Sequence, residues 1–117
     1  MANPVVHWEI GVKDAKKANE FYGKLFDWQI DSNSMPNYGV VPTNGQGGIG
    51  GGISAMGGGE MPAYVTFYVQ VDDLQAYLDK AESLGGTTVI GPTPIPGVGA
   101  FAWFKDPDGN HIGLFKG

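Results

Sequence analysis

His7 and Glu9 stand two residues apart in Val5-Val6-His7-Trp8-Glu9-Ile10, a run that alternates apolar and polar side chains. Alternation at period two is the mark of a half-buried strand, and it puts both polar groups on one face, about 6–7 Å apart along the chain. An imidazole and a carboxylate so placed can exchange protons with a bound molecule, or together with a second imidazole hold a metal ion. His111 is the chain's other histidine. With His7 and Glu9 it would complete a two-histidine, one-carboxylate set of the kind that binds non-haem iron. The blander reading makes His7 a structural histidine hydrogen-bonded inside the fold and Glu9 a rim carboxylate.

Composition narrows the field. The 117 residues suit a single domain, and 20 glycines with 8 prolines favour short strands and frequent turns. There is no cysteine, which excludes disulfides, a thiolate nucleophile and zinc–sulfur ligation. Net charge is −5, and the seven basic residues are scattered lysines, so the chain lacks the basic footprint that nucleic-acid binding needs. No run reaches the roughly 18 apolar residues of a membrane span, and Met-Ala-Asn-Pro carries no secretory signal. These readings predict a cytoplasmic protein with a small-molecule partner.

The elements that must position His7 and Glu9 are written twice, 59 residues apart. Val12-Lys13-Asp14-Ala15 aligns with Val71-Asp72-Asp73-Leu74, and His7 falls opposite Thr66. In the first copy a strand over Val5–Val12 leads to a helix capped by Asp14, with Ala18, Phe21, Tyr22 and Leu25 on one face. Short strands are expected at Trp28–Ile30 and Tyr38–Val41, flanking a turn-rich Asp31-Ser32-Asn33-Ser34. Another is expected within Gly48–Ser54, weakened by its glycines. The second copy reads Tyr64–Val71 as a strand. Asp72 or Asp73 caps a helix with Leu74, Leu78, Ala81 and Tyr77 inward, and Gly85-Gly86 stops it. Strands follow at Thr87–Ile90, Ala100–Lys105 and His111–Phe115, the last two joined by Asp106-Pro107-Asp108-Gly109. The order is β-α-β-β-β, twice: an α+β chain of two modules, about 1–55 and 62–117, joined by a glycine-rich linker at 56–61.

Two motifs mislead. Gly45-Gln46-Gly47-Gly48-Ile49-Gly50 spells G-x-G-x-x-G, but more glycine follows instead of the helix a dinucleotide site needs. Asp106-x-Asp108-Gly109 starts like a calcium loop, yet the twelfth position is Gly117 where a glutamate belongs.

The ordered set Val6-His7-Trp8-Glu9-Ile10, Glu20-Phe21-Tyr22-Gly23-Lys24-Leu25-Phe26, Val71-Asp72-Asp73-Leu74, Leu84-Gly85-Gly86, Asp106-Pro107-Asp108-Gly109-Asn110 and Ile112-Gly113-Leu114 resembles the vicinal oxygen chelate superfamily. That superfamily includes glyoxalase I, bleomycin-resistance proteins and extradiol dioxygenases. The resemblance implies paired βαβββ modules forming a mixed, curved sheet around a cup-shaped site. It also implies four metal-ligand positions, on the first and last strands of each module. Carried onto this chain, they fall at His7, Thr66, Gly113 and a residue within Gly48–Ser54. Only the first is filled by a ligand-type side chain, so the usual divalent metal is not expected, and the set His7, Glu9 and His111 is the metal-bearing alternative. Strand parity, with Trp8, Phe67, Phe104, Ile112 and Leu114 facing the helices, puts His7, Glu9, Tyr64, Thr66, Tyr68, Phe101, Trp103, His111, Gly113 and Phe115 on the concave face.

Two functions of different class follow from the resemblance. In the first, the chain is a small-molecule-binding protein, like the superfamily's drug-sequestering members: His7, Tyr64, Thr66, Tyr68, Phe101, Trp103 and His111 contact a partly apolar ligand. In the second, it is a lyase, isomerase or dioxygenase-like enzyme on a small oxygenated substrate, with His7 and Glu9 as catalytic groups. A homodimer, or an interaction module with no ligand, stays open beside both.

Overall fold

The computed structural model describes residues 2–42, 47–55 and 62–117. The linker at 56–61 and the first two residues of the glycine motif lie outside the described residues. The elements run β1 (Val5–Gly11), α1 (Ala15–Phe26), β2 (Asp31–Met35), β3 (Tyr38–Val41), β4 (Gly51–Ser54), β5 (Tyr64–Gln70), α2 (Leu74–Ser83), β6 (Thr87–Ile95), β7 (Gly99–Lys105) and β8 (His111–Lys116). The expected β-α-β-β-β order occurs twice, and β5 and α2 begin 59 residues after β1 and α1. Among the described residues no helix is long and apolar enough to cross a membrane.

Contacts divide the chain into two units. One is His7–Val65; the other is Thr66–Gly117 with the segment up to Val6. In the first unit β1 runs parallel to β4, β4 pairs antiparallel with β3, and β3 with β2. The second repeats this pattern: β5 parallel to β8, then β7 and β6 antiparallel.

Local chemistry sets the element ends. Asp14 accepts a hydrogen bond from the Lys17 amide at 3.1 Å, and Asp73 caps α2 through the Ala76 amide at 3.0 Å. Each satisfies one of the donors that a helix start leaves unpaired. Gly85, at φ 103°, turns the chain out of α2. Asp106 holds the β7–β8 turn by accepting from the amides of Asp108 and Asn110, and Gly109 takes the left-handed conformation. The region after the G-x-G-x-x-G spelling enters β4, with no helix to support a phosphate.

One expected strand is misplaced, and two apolar faces are less buried than their spacing suggests. Trp28–Ile30 is not a strand, and the polar Asp31–Met35 is, because pairing with β3 supplies what its sequence lacks. The reversal falls on Pro36-Asn37 between the paired Met35 and Tyr38. Proline presets one backbone angle there, and Asn37 tolerates φ 57°. The apolar face of α1 is not buried: Phe21 is 59% and Leu25 57% exposed, while Tyr22 and Phe26 gather on Trp28, which packs on Trp8. Phe67, expected to face a helix, is 39% exposed. The core of the second unit is instead Val71, Leu74, Leu78, Ala102 and Leu114, flanked by Tyr77 and Phe104.

The glycines of β4 are what close packing demands. Gly51 lies under the Trp8 ring on one face, and Gly52 lies under the Tyr38 ring on the other. A side chain at either would overlap an aromatic ring, so the composition that weakened the strand reading is the reason the strand packs.

Candidate functional site

β1 places His7 and Glu9 on one face, as the alternation requires, and the pairing register adds their neighbours. Glu9 sits beside Gly52 of β4, Gly11 beside Ser54, and Ser54 beside Tyr38 of β3. The Tyr38 ring reaches back across Gly52 to the two polar groups of β1. Its hydroxyl donates to Glu9 Oε1 at 2.9 Å and lies 2.6 Å from His7 Nε2. Tyr64, whose ring covers Gly11, donates to Glu9 Oε2 at 2.6 Å. His7, Tyr38, Glu9 and Tyr64 thus form one hydrogen-bonded chain inside the first unit.

Glu9 is 4% exposed. A carboxylate so deeply placed needs donors on both oxygens, and the two tyrosines provide them. Burial lowers the pKa of His7 from the ordinary imidazole value, favouring the neutral ring. Burial also raises the pKa of Tyr64, and its hydrogen bond to the Glu9 carboxylate adds to the rise; an opposing hydrogen bond from Ser54 is smaller. The Tyr64 hydroxyl proton therefore stays in place, and the chain can orient the groups it links.

The second unit uses the equivalent face differently. Thr66 donates its hydroxyl to the His111 carbonyl at 2.7 Å. The Tyr68 ring lies over Gly113, and its hydroxyl accepts from Trp103 Nε1 at 2.8 Å. Trp103 is 1% exposed, and the His111 ring packs against it at 5.8 Å between centroids. Phe101 pairs with Phe115, and Trp103 with Gly113, so these residues share one face of their strands.

The structure brings His7, Glu9 and Tyr64 together, and separately Thr66, Tyr68, Trp103 and His111. Among the described residues no three histidine, cysteine, aspartate or glutamate side chains gather into a group able to hold a metal ion. Tyrosines engage His7 and Glu9 within the first unit, and His111 packs on Trp103 within the second. Register also fixes the position left open within Gly48–Ser54. Glu9 pairs with Gly52 as Tyr68, 59 residues on, pairs with Gly113. Tyr38 is the residue that sequence reasoning missed. The alternation of β3 marks it as facing one side, but the side follows only from pairing with β4.

Two βαβββ modules in one chain are the fold class that the resemblance to the vicinal oxygen chelate superfamily implies. The sequence profile of the Glyoxalase/Bleomycin resistance protein/Dioxygenase superfamily matches residues 5–114, and the chain belongs to that superfamily. It is 29% identical over 113 residues to the putative glyoxylase CFP32 of Mycobacterium tuberculosis, covering 92% of this chain and 43% of the relative. It is 28% identical over 127 residues to the anthracycline biosynthesis protein DnrV of Streptomyces peucetius, covering 93% and 45%. The chain thus spans less than half the length of these curated relatives. Among solved structures, the hypothetical protein BH1468 from Bacillus halodurans shares the fold at TM-score 0.71 and 12% identity, with 100% of this chain and 96% of that one covered.

Proposed function

We propose that this chain binds a small, partly apolar, oxygenated molecule without the four-ligand metal site of its superfamily. The observation that carries the reading is the pair Gly52 and Gly113. The resemblance places metal ligands at Gly113 and within Gly48–Ser54, which the register narrows to Gly52, yet neither glycine has a side chain, and a Cβ at either would strike the ring of Tyr38 or Tyr68. Thr66, at a third position, spends its hydroxyl on the His111 carbonyl. That leaves His7, and one imidazole is too few where catalytic divalent ions are generally held by three protein ligands. His7, Tyr38 and Tyr64 form the polar end of the binding face. The name of the DnrV relative makes a hydroxylated fused-ring aromatic the first probe to try.

The test uses protein purified without chelators or a metal-binding tag. Elemental analysis is expected to find no stoichiometric metal, and a hydroxyanthraquinone is expected to quench tryptophan fluorescence equally with and without EDTA. Stoichiometric iron, nickel, zinc or manganese, or binding that EDTA abolishes, overturns the reading.

The hydrogen-bonded chain favours one second reading: proton transfer on a small oxygenated substrate, as in a lyase or isomerase. His7 is the base, kept neutral by burial, and Glu9 acts on it through Tyr38. In that case His7→Ala abolishes turnover while the circular dichroism spectrum stays native; retained turnover removes His7 from the mechanism.

A further inference from the structure

We propose that Tyr38 is the positioning residue of this site, committing His7 to the tautomer that carries its proton on Nε2. A phenol has one proton to give and lone pairs with which to accept. The Tyr38 hydroxyl stands between Glu9 Oε1, to which it donates at 2.9 Å, and His7 Nε2 at 2.6 Å. Tyr64 donates to the other Glu9 oxygen. Two hydroxyls converging on both oxygens is the arrangement of an ionised carboxylate, which only accepts. The Tyr38 proton is therefore committed to Glu9, and its contact with His7 is a hydrogen bond only if Nε2 bears the proton.

The ring of Tyr38 is itself fixed, because it lies against Gly52, where no side chain competes with it. Glu9 thus sets the direction of the Tyr38 hydroxyl, and that hydroxyl sets the imidazole. Nδ1 becomes the acceptor nitrogen, and whatever meets it must donate. If His7 contacts the ligand, as the proposed function has it, the recognised group is a hydroxyl rather than a carbonyl oxygen. This last step rests on that reading, whereas the tautomer itself does not.

Long-range ¹H–¹⁵N correlation spectra of the labelled, ligand-free protein at pH 8 test the assignment. His7 is expected to show a pyrrole-type Nε2 and a pyridine-type Nδ1. Tyr38→Phe keeps the ring over Gly52 and removes the acceptor; it is expected to redistribute His7 toward the Nδ1–H form while His111 is unchanged. Tyr64→Phe leaves the Tyr38–Glu9 bond in place and is expected to preserve the wild-type pattern, which a general loosening of the site would not. A wild-type Nδ1–H signature overturns the proposal outright, whether or not the phenylalanine variant folds. An unchanged Tyr38→Phe spectrum overturns it as well. A wild-type Nε2–H signature in a protein that binds no hydroxylated probe overturns the binding reading and leaves the tautomer assignment standing.

Discussion

Gly52→Ala is the smallest change that should disturb both the stability and the chemistry of this protein. The added methyl would fall within 3.0 Å of Cε1, Cζ and Oη of Tyr38, closer than real Cβ atoms approach such atoms. Either the ring moves or β4 shifts, and β4 is buried along its whole length. Forcing one carbon into a packed core typically costs about 1–3 kcal/mol. If the ring moves, the hydroxyl leaves Glu9 Oε1 and His7 Nε2. A hydrogen bond to a charged group contributes roughly 1.5–3 kcal/mol. Replacing glycine by alanine recovers about 0.4–1 kcal/mol through the unfolded chain. The net loss should be about 1.5–5.5 kcal/mol, against a total stability of roughly 6–18 kcal/mol for a chain of this length. Urea denaturation followed by tryptophan fluorescence reads the change, with Gly91→Ala as control, since a Cβ there meets nothing within 4 Å. Tyr38→Ala should be less destabilising in the Gly52→Ala background than alone, because the space the ring vacates accepts the methyl. A Gly52→Ala loss below about 1 kcal/mol, or strict additivity with Tyr38→Ala, would refute the claim that this ring occupies the space above Gly52.

Other outcomes follow from the same contacts. Trp103→Phe removes the indole N–H that Tyr68 accepts in a buried setting, and should cost about 1–3 kcal/mol by denaturant titration; a neutral result would deny that bond its weight. Because burial lowers the His7 pKa, the unfolded chain takes up this proton first on acidification. Stability should therefore rise with pH up to the unfolded value near 6.5 and fall below it, and His7→Gln should flatten that part of the profile. Asp73→Ala removes the cap of α2 and should lower stability by about 1 kcal/mol, detectable as a matching drop in the midpoint of thermal unfolding.

Where the sequence carried a local signal, the fold was legible. Alternation marked β1 and β5, Asp14 and the Asp72-Asp73 pair marked the helix starts, and Gly85 and Asp106 marked the reversals, since each acts through its own backbone neighbourhood. β2 was missed because Asp31-Ser32-Asn33-Ser34 has neither alternation nor apolar content and is a strand only by its pairing with β3. The neighbouring Trp28–Ile30 was misread because its apolar residues pack as rings, Trp28 on Trp8 and Tyr22, without joining a sheet. His7 and Glu9 were legible as a same-face pair, since strand parity needs no partner. Tyr38 was not, because its place depends on a hairpin at Pro36-Asn37 and on the register with β4, both set by tertiary pairing.

The duplication gives these differences a common frame. Counterparts across the repeat are His7 and Thr66, Glu9 and Tyr68, and Gly52 and Gly113. On the neighbouring antiparallel strands, Val40 pairs with Gly52 as Trp103 pairs with Gly113, and Tyr38 pairs with Ser54 as Phe101 pairs with Phe115. Both units cover their glycine with a tyrosine ring, but from different strands: Tyr38 comes from β3 and Tyr68 from β5. The covering tyrosine is therefore not one residue copied by the repeat. What recurs is the gap over a glycine, and each unit closes it with the side chain within reach. The choice of strand decides the chemistry. A ring arriving from β3 delivers its hydroxyl between an imidazole and a carboxylate, while a ring growing from the Glu9-equivalent position removes the carboxylate and delivers its hydroxyl to an indole N–H. The first arrangement links an imidazole to a carboxylate through one hydroxyl; the second sets a phenol against an indole, with the His111 ring packed beside it.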